Sequence, residues 1–278
     1  MAIRVFRELK RFLPLSRQAS LIAFLVPRRF WFRCALVASR WQGGLVTAMG
    51  GNGALTELLM REHWLHELTK HNAFSIPWRL HGYELLDEYL RKGPVMFYST
   101  HLAMSDMPLR VFIEKGNRPP VPVASPGRIS DKDRYRVPGF GKTIPALPPA
   151  GYVLARMRTL LRRGDSIACL AERELFAVEL SSNPMRLAGR MGVPVFFALG
   201  ELAPDGVVDV TFQPAPHPYC ESEDAVAENL SVLRGFNDRI LRSVGVVVPN
   251  ADGSLQPTRA DLPAQLAASA VGAGSRLA

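Results

Sequence analysis

Between Tyr83 and Phe212, short apolar runs bounded by glycine and proline alternate with segments whose apolar residues recur every three or four positions. The runs are Pro94–Tyr98, Val121–Ser125, Thr143–Leu147, Ser166–Ala171, Val193–Leu199 and Val207–Phe212. A run this short and this apolar reads as a strand covered on both faces, while the three-to-four spacing reads as an amphipathic helix. Helices are expected over Tyr83–Arg91, Ser105–Lys115, Tyr152–Arg163, Pro184–Met191 and Ala225–Val244. Strands that alternate with helices leave few folds open. The expectation is an α/β protein with a mostly parallel central sheet flanked by helices and an N-terminal helical segment. The turn signal Pro204-Asp-Gly206 makes the last strand antiparallel, and Arg128–Arg136 reads as a polar, basic loop.

The termini differ from this body. Residues 1–42 mix Arg and Lys with Phe6, Phe12, Phe30, Trp31, Phe32 and Trp41, yet Pro27-Arg28-Arg29, Arg33 and Arg40 interrupt every apolar stretch. None reaches the roughly 18 residues of a spanning helix. Two readings stay open: a helix lying in a membrane interface, or a helical cap whose aromatics pack inward. From Asn250 the chain is rich in Ala, Gly and Ser and reads as a disordered tail. The division is therefore a basic interfacial segment over 1–75, an α/β domain over 76–249 and a tail over 250–278.

Composition narrows the partners. With a formal charge of +9 on 278 residues, an acidic partner is expected. No helix-turn-helix, zinc-finger or RNA-recognition signature accompanies the charge, so nucleic acid is not expected. Cys34, Cys169 and Cys220 are far apart, which favours neither a disulfide framework nor a zinc site. His63, His66 and His71 miss the H-E-x-x-H spacing, because His71 falls roughly 140° around a helix from His66. No metal is expected.

Two stretches carry chemistry. In Pro94-Val-Met-Phe-Tyr-Ser-Thr-His101-Leu-Ala-Met-Ser-Asp106 an imidazole follows a buried strand, and a carboxylate opens the next helix with Ser105 as its N-cap. The carboxyl edge of an open α/β sheet is where ligands bind. An Asp there accepts from one ring nitrogen and leaves the other as a base. In Leu161-Arg-Arg-Gly-Asp-Ser-Ile-Ala-Cys-Leu-Ala-Glu172-Arg173-Glu174 a second strand ends in charge, so Glu172 is expected at the edge that holds His101. The plainer reading is a strand-end His, a capping Asp and a solvated acidic loop.

H-x-x-x-x-D, then a basic loop with Arg128, Arg134 and Arg136, then L-x-x-G, an apolar strand, A-E-R-E-L and G-V-P-V, is similar in order to the lysophospholipid acyltransferase superfamily. The similarity runs over about residues 80–212. It resembles the late lipid A acyltransferase branch, with Ala171–Leu175 nearest its mannosyl phosphatidylinositol acyltransferase members. The chain departs from that branch in four places: Leu-Ala-Met-Ser lies inside the motif, the stretch between Leu175 and Pro184 is short, a Pro-Glu-Gln-Trp signature is missing, and the N-terminal segment is less hydrophobic.

The resemblance implies His101 as general base, Asp106 in support and Glu172 as catalytic partner. It also implies an acyl carrier protein or coenzyme A thioester as donor, with no cofactor, and a lipid or glycolipid acceptor. The place of work would be the cytoplasmic face of the inner membrane, peripherally bound to an anionic surface. Arg128, Arg134, Arg136 and Arg173 are the expected phosphate-holding side chains. A serine hydrolase built on Gly164-Asp165-Ser166 and a non-catalytic lipid-binding or assembly protein are the competing readings. Cys169, inside a strand, reads as core.

Overall fold

The computed structural model describes residues 19, 22, 24–26, 30–69, 77–100, 104, 106–124, 129–130, 133–137, 143–171, 180–203, 207–243 and 245. The chain is an α/β protein. The elements in order are α1 (Trp31–Ala48), α2 (Gly53–Thr69), β1 (Trp78–His81), α3 (Tyr83–Lys92), β2 (Met96–Ser99), α4 (Asp106–Glu114) and β3 (Val121–Pro122). Then follow β4 (Ile129–Ser130), β5 (Arg134–Arg136), β6 (Thr143–Pro145), α5 (Val153–Arg162), β7 (Ile167–Leu170), α6 (Asn183–Arg190), β8 (Val195–Leu202), β9 (Val208–Pro214) and α7 (Glu223–Ser243). The chain divides into two units. One takes in 1–76, 138–141 and 238–277; the other takes in 77–137 and 142–237.

In the second unit six strands form one sheet in the order β1-β9-β8-β2-β7-β3. β2 pairs in parallel with β7 and β8, β7 with β3, and β1 with β9; β8 and β9 are antiparallel. The expected mostly parallel sheet is present, as is the antiparallel last strand. β2 is central, and every residue from Val95 to Thr100 is buried, which is why it reads as an unbroken apolar run rather than an alternating one. Its Phe97 meets Phe112 of α4 and Phe212 of β9 edge-to-face at 5.3 and 6.0 Å, and Phe112 meets Phe212 at 5.5 Å. Such pairs add about 0.5–1.5 kcal/mol each beyond the area they bury.

Three features differ from the sequence expectation. β1 is an additional edge strand, with exposure alternating along four residues too few to stand out as a periodic run. It turns into α3 through Gly82 at φ +73°, where a Cβ would lie 2.1 Å from the Phe212 carbonyl oxygen. The stretch read as a basic loop contains strands instead: β4, β5 and β6 form a small antiparallel sheet, with Tyr135 facing Ile144. Thr143–Pro145 joins that sheet, and only Leu147 reaches the main sheet, through a bridge to Val123. Isolated two- and three-residue strands are set by their partners, which explains why period alone misses them.

In the other unit α1 and α2 pack closely where Gly43 faces Gly53. Trp64 of α2 is buried and donates to Gln42 Oε1 at 3.0 Å. Among the described residues no helix is long and apolar enough to cross a membrane. The expected tail over 250–278 and most of residues 1–29 lie outside the described residues.

Candidate functional site

Sheet order makes the carboxyl ends of β2 and β7 the place to look. The chain leaving β2 next enters the sheet at β3, beyond β7, whereas the chain leaving β7 next enters at β8, beyond β2. The two connections run in opposite directions along the sheet, which is the arrangement that opens a crevice outside the strand ends. Ser99 is in register with Leu170, and the Ala171 N–H donates to the Ser99 carbonyl at 2.9 Å. The last described positions of the two strands, Thr100 and Ala171, therefore lie side by side. His101 and Glu172 are the next residues in the chain; both lie outside the described residues, as do Arg128 and Arg173.

Asp106 is described, and it is the first residue of α4, as expected. A carboxylate there is favoured by the partial positive charge of the helix start. Its side chain is half-buried and accepts a hydrogen bond from the Tyr135 hydroxyl. The turn into α4 passes through Met104 at φ +35°, with the Met107 N–H bonded to the Met104 carbonyl at 2.9 Å. A non-glycine residue in that region costs about 1–3 kcal/mol and persists only where the surroundings impose it. Strain inside the H-x-x-x-x-D segment thus coincides with the crevice.

Tyr135 is the residue that the sequence reading missed. It is 3% exposed and sits on β5 between exposed Arg134 and Arg136. The charged-aromatic-charged alternation of Arg134-Tyr135-Arg136 was the available signal, since a period of two puts the ring on the inner face. Arg134 itself is committed: its Nε and Nη2 donate to Thr143 Oγ1 and the Thr143 carbonyl at 2.9 and 2.8 Å. It ties β5 to β6.

The floor below the crevice is held by buried polar groups. Tyr98 is fully buried; its hydroxyl accepts from the Met185 N–H at 2.9 Å and donates to the Ser181 carbonyl at 3.3 Å, fastening the start of α6 to β2. Burial pushes its phenol well up, so it acts as a neutral group. Burial likewise pushes the Cys169 thiol up to about 12, which leaves no thiolate for nucleophilic work. The hydroxyls of Ser99 and Thr100, 8% and 0% exposed, have no hydrogen-bond partner among the described residues. Buried hydroxyls without partners are unusual and cluster here at the strand end.

Two other candidates resolve differently. Ser166 stands before β7, at the opposite edge of the sheet, where its hydroxyl accepts from the Val95 N–H at 3.0 Å. It serves as a strand link, not a hydrolase nucleophile facing this crevice. A His–carboxylate pair joins β1 to β9: His81 Nε2 lies 3.0 Å from Asp209 Oδ1, and Arg79 donates to both carboxylate oxygens at 2.8 and 3.0 Å. Those Arg79 bonds first, and His81 second, hold the Asp209 carboxyl far below its usual range. Three contacts from two β1 side chains engage the carboxylate, and the cluster ties the two strands together. Among the described residues no group of three or more His, Cys, Asp or Glu side chains is placed to hold a metal ion. A comparison with protein-family models finds no match for this chain, and a comparison with curated proteins finds none either.

Proposed function

We propose that this chain is an O-acyltransferase that moves a fatty acyl group from an acyl carrier protein or coenzyme A thioester to a hydroxyl of a lipid or glycolipid. The observation that carries the reading is the adjacency of the β2 and β7 carboxyl ends, with Ser99 paired to Leu170. The two motif-bearing segments leave the sheet at one crevice, and Asp106 opens the helix beside it, held by Tyr135. In this reading His101 takes the acceptor proton as the hydroxyl oxygen attacks the thioester carbonyl carbon. Asp106 orients the imidazole, and Glu172 steadies the imidazolium that forms. The tetrahedral intermediate collapses with cleavage of the C–S bond, and the leaving thiolate takes the proton back from the ring. Ester and thiol are the products, and no acyl-enzyme is needed.

The test pairs labelled acyl thioester with extracted lipid. His101→Ala is expected to fold normally and to lose about 10²–10⁴ in turnover, the usual worth of a positioned general base. Glu172→Gln lowers kcat more than it raises KM, and Glu174→Gln is close to silent. A folded His101→Ala protein that transfers acyl groups at the normal rate sinks the mechanism. A wild-type protein that binds lipid but transfers nothing establishes the non-catalytic alternative.

A further inference from the structure

At the other edge of the sheet, α5 and α6 end just before β7 and β8 begin. Between these two helices lies a cavity of about 410 Å³, lined by Arg158, Arg162, Leu187, Arg190 and Met191. The same helices carry two other arginines, and both of those are neutralised: Arg156 pairs with Asp133 at 3.1 Å and Arg186 with Glu223 at 2.6 Å. Arg158, Arg162 and Arg190 have no carboxylate partner among the described residues. Arg158 and Arg162 are one turn apart on one face of α5, a spacing at which like charges destabilise a helix. Arg162 and Arg190 stand in the last turns of their helices, where the helix dipole favours a cation. That accounts for one arginine on each helix. It does not account for Arg158, nor for all three turning toward the same hollow.

We propose that this cavity is a binding site for a phosphate ester, distinct from the crevice at the β2 and β7 carboxyl ends. Three guanidinium forks around one space match the oxygens of a phosphate bidentately, as ammonium groups would not. Leu187 and Met191 give the cavity an apolar floor, and its volume exceeds what a bare phosphate needs while lying in the range of ligand pockets. The occupant thus combines an anionic phosphate with an uncharged, partly apolar remainder. A phospholipid headgroup and a soluble phosphate ester share this chemistry. A concave hollow lined by five side chains and open to solvent suits either better than the broad face of an acidic protein. The site stands independently of the acyl-transfer reading, since no residue is common to both.

The experiment titrates the full chain with sn-glycerol 3-phosphate by calorimetry and, separately, with vesicles of phosphatidylcholine alone or mixed with phosphatidic acid. The expected result is that Arg158→Ala/Arg162→Ala/Arg190→Ala weakens one or both phosphate probes at least tenfold relative to wild type. Arg156→Ala and Arg186→Ala, on the same helices, change either affinity less than twofold. Loss of glycerol phosphate binding identifies a soluble ester as a sufficient ligand; loss confined to phosphatidic acid vesicles identifies the headgroup in a surface. Should the triple variant be unstable, Arg158→Gln alone carries the comparison, because that side chain is exposed. Binding of both probes unchanged by these substitutions overturns the proposal. So does a wild type that binds neither probe, whether or not the three arginines retain an acidic carrier protein.

Discussion

At the scale of single residues, the contact that matters most is the one between Tyr135 and Asp106. A hydrogen bond to a charged, half-buried carboxylate is worth about 1.5–3 kcal/mol, because the acceptor left behind cannot be fully rehydrated. Tyr135→Phe keeps the ring and its packing and removes only the donor. Its expected effect is a loss of about 2 kcal/mol in urea unfolding, together with a lower kcat and little change in KM for acyl transfer. A Phe variant as stable as wild type would show that other contacts hold Asp106. Asp106 itself was readable in the sequence from its spacing to His101 and its place before a helical pattern. The tie from Tyr135 was not, since the two partners lie 29 positions apart.

At the scale of elements, backbone approach decides more than side-chain pattern. Gly53 opens α2, and a Cβ there would stand 2.3 Å from the Gly43 carbonyl oxygen on α1 and 1.9 Å from Thr47 Oγ1. The Thr47 hydroxyl can rotate away, but a backbone carbonyl in a helix cannot. Gly53→Ala is therefore expected to cost about 1–3 kcal/mol, the usual penalty of overpacking, measured as a lower midpoint in thermal or urea unfolding. Gly44→Ala, one position from Gly43 but with open space around its Cβ, is the control and is expected to be neutral or slightly stabilising. Equal effects at both positions would show that α1 and α2 have room for a methyl group between Gly43 and Gly53. The elements that were legible beforehand, β2, β7, β8 and β9 and α3 to α7, appear within about three residues of their expected bounds, because an unbroken apolar run or a helical period, with glycine and proline punctuation, marks each of them.

At the scale of the molecule, the charge of +9 is unevenly used. On the outer face of α1, Val37 and Trp41 are 65% and 61% exposed, with exposed Arg33 and Arg40 beside them. Aromatic and aliphatic side chains next to arginines are what a helix lying in a lipid interface needs. Vesicle binding by the full chain is expected to require anionic lipid, to weaken as salt rises from about 0.1 to 1 M, and to drop further in Trp41→Ser. Binding that is the same for neutral and anionic vesicles at every salt concentration returns α1 to the role of a helical cap.

The sequence alone determined the fold class, since apolar runs and helical spacing are local patterns and their alternation leaves a mostly parallel sheet as the way to bury both. It also determined that Asp106 opens a helix after a buried strand. What only the tertiary structure decided was strand order, and with it which ends are neighbours. Order depends on contacts between segments about 70 residues apart, such as Ser99 with Leu170, and no local period encodes those. The small sheet of β4 to β6, the tie from Tyr135 to Asp106 and the gathering of Arg158, Arg162 and Arg190 around one hollow belong to the same class. Each is a coincidence of separate segments in space, invisible until the chain is folded.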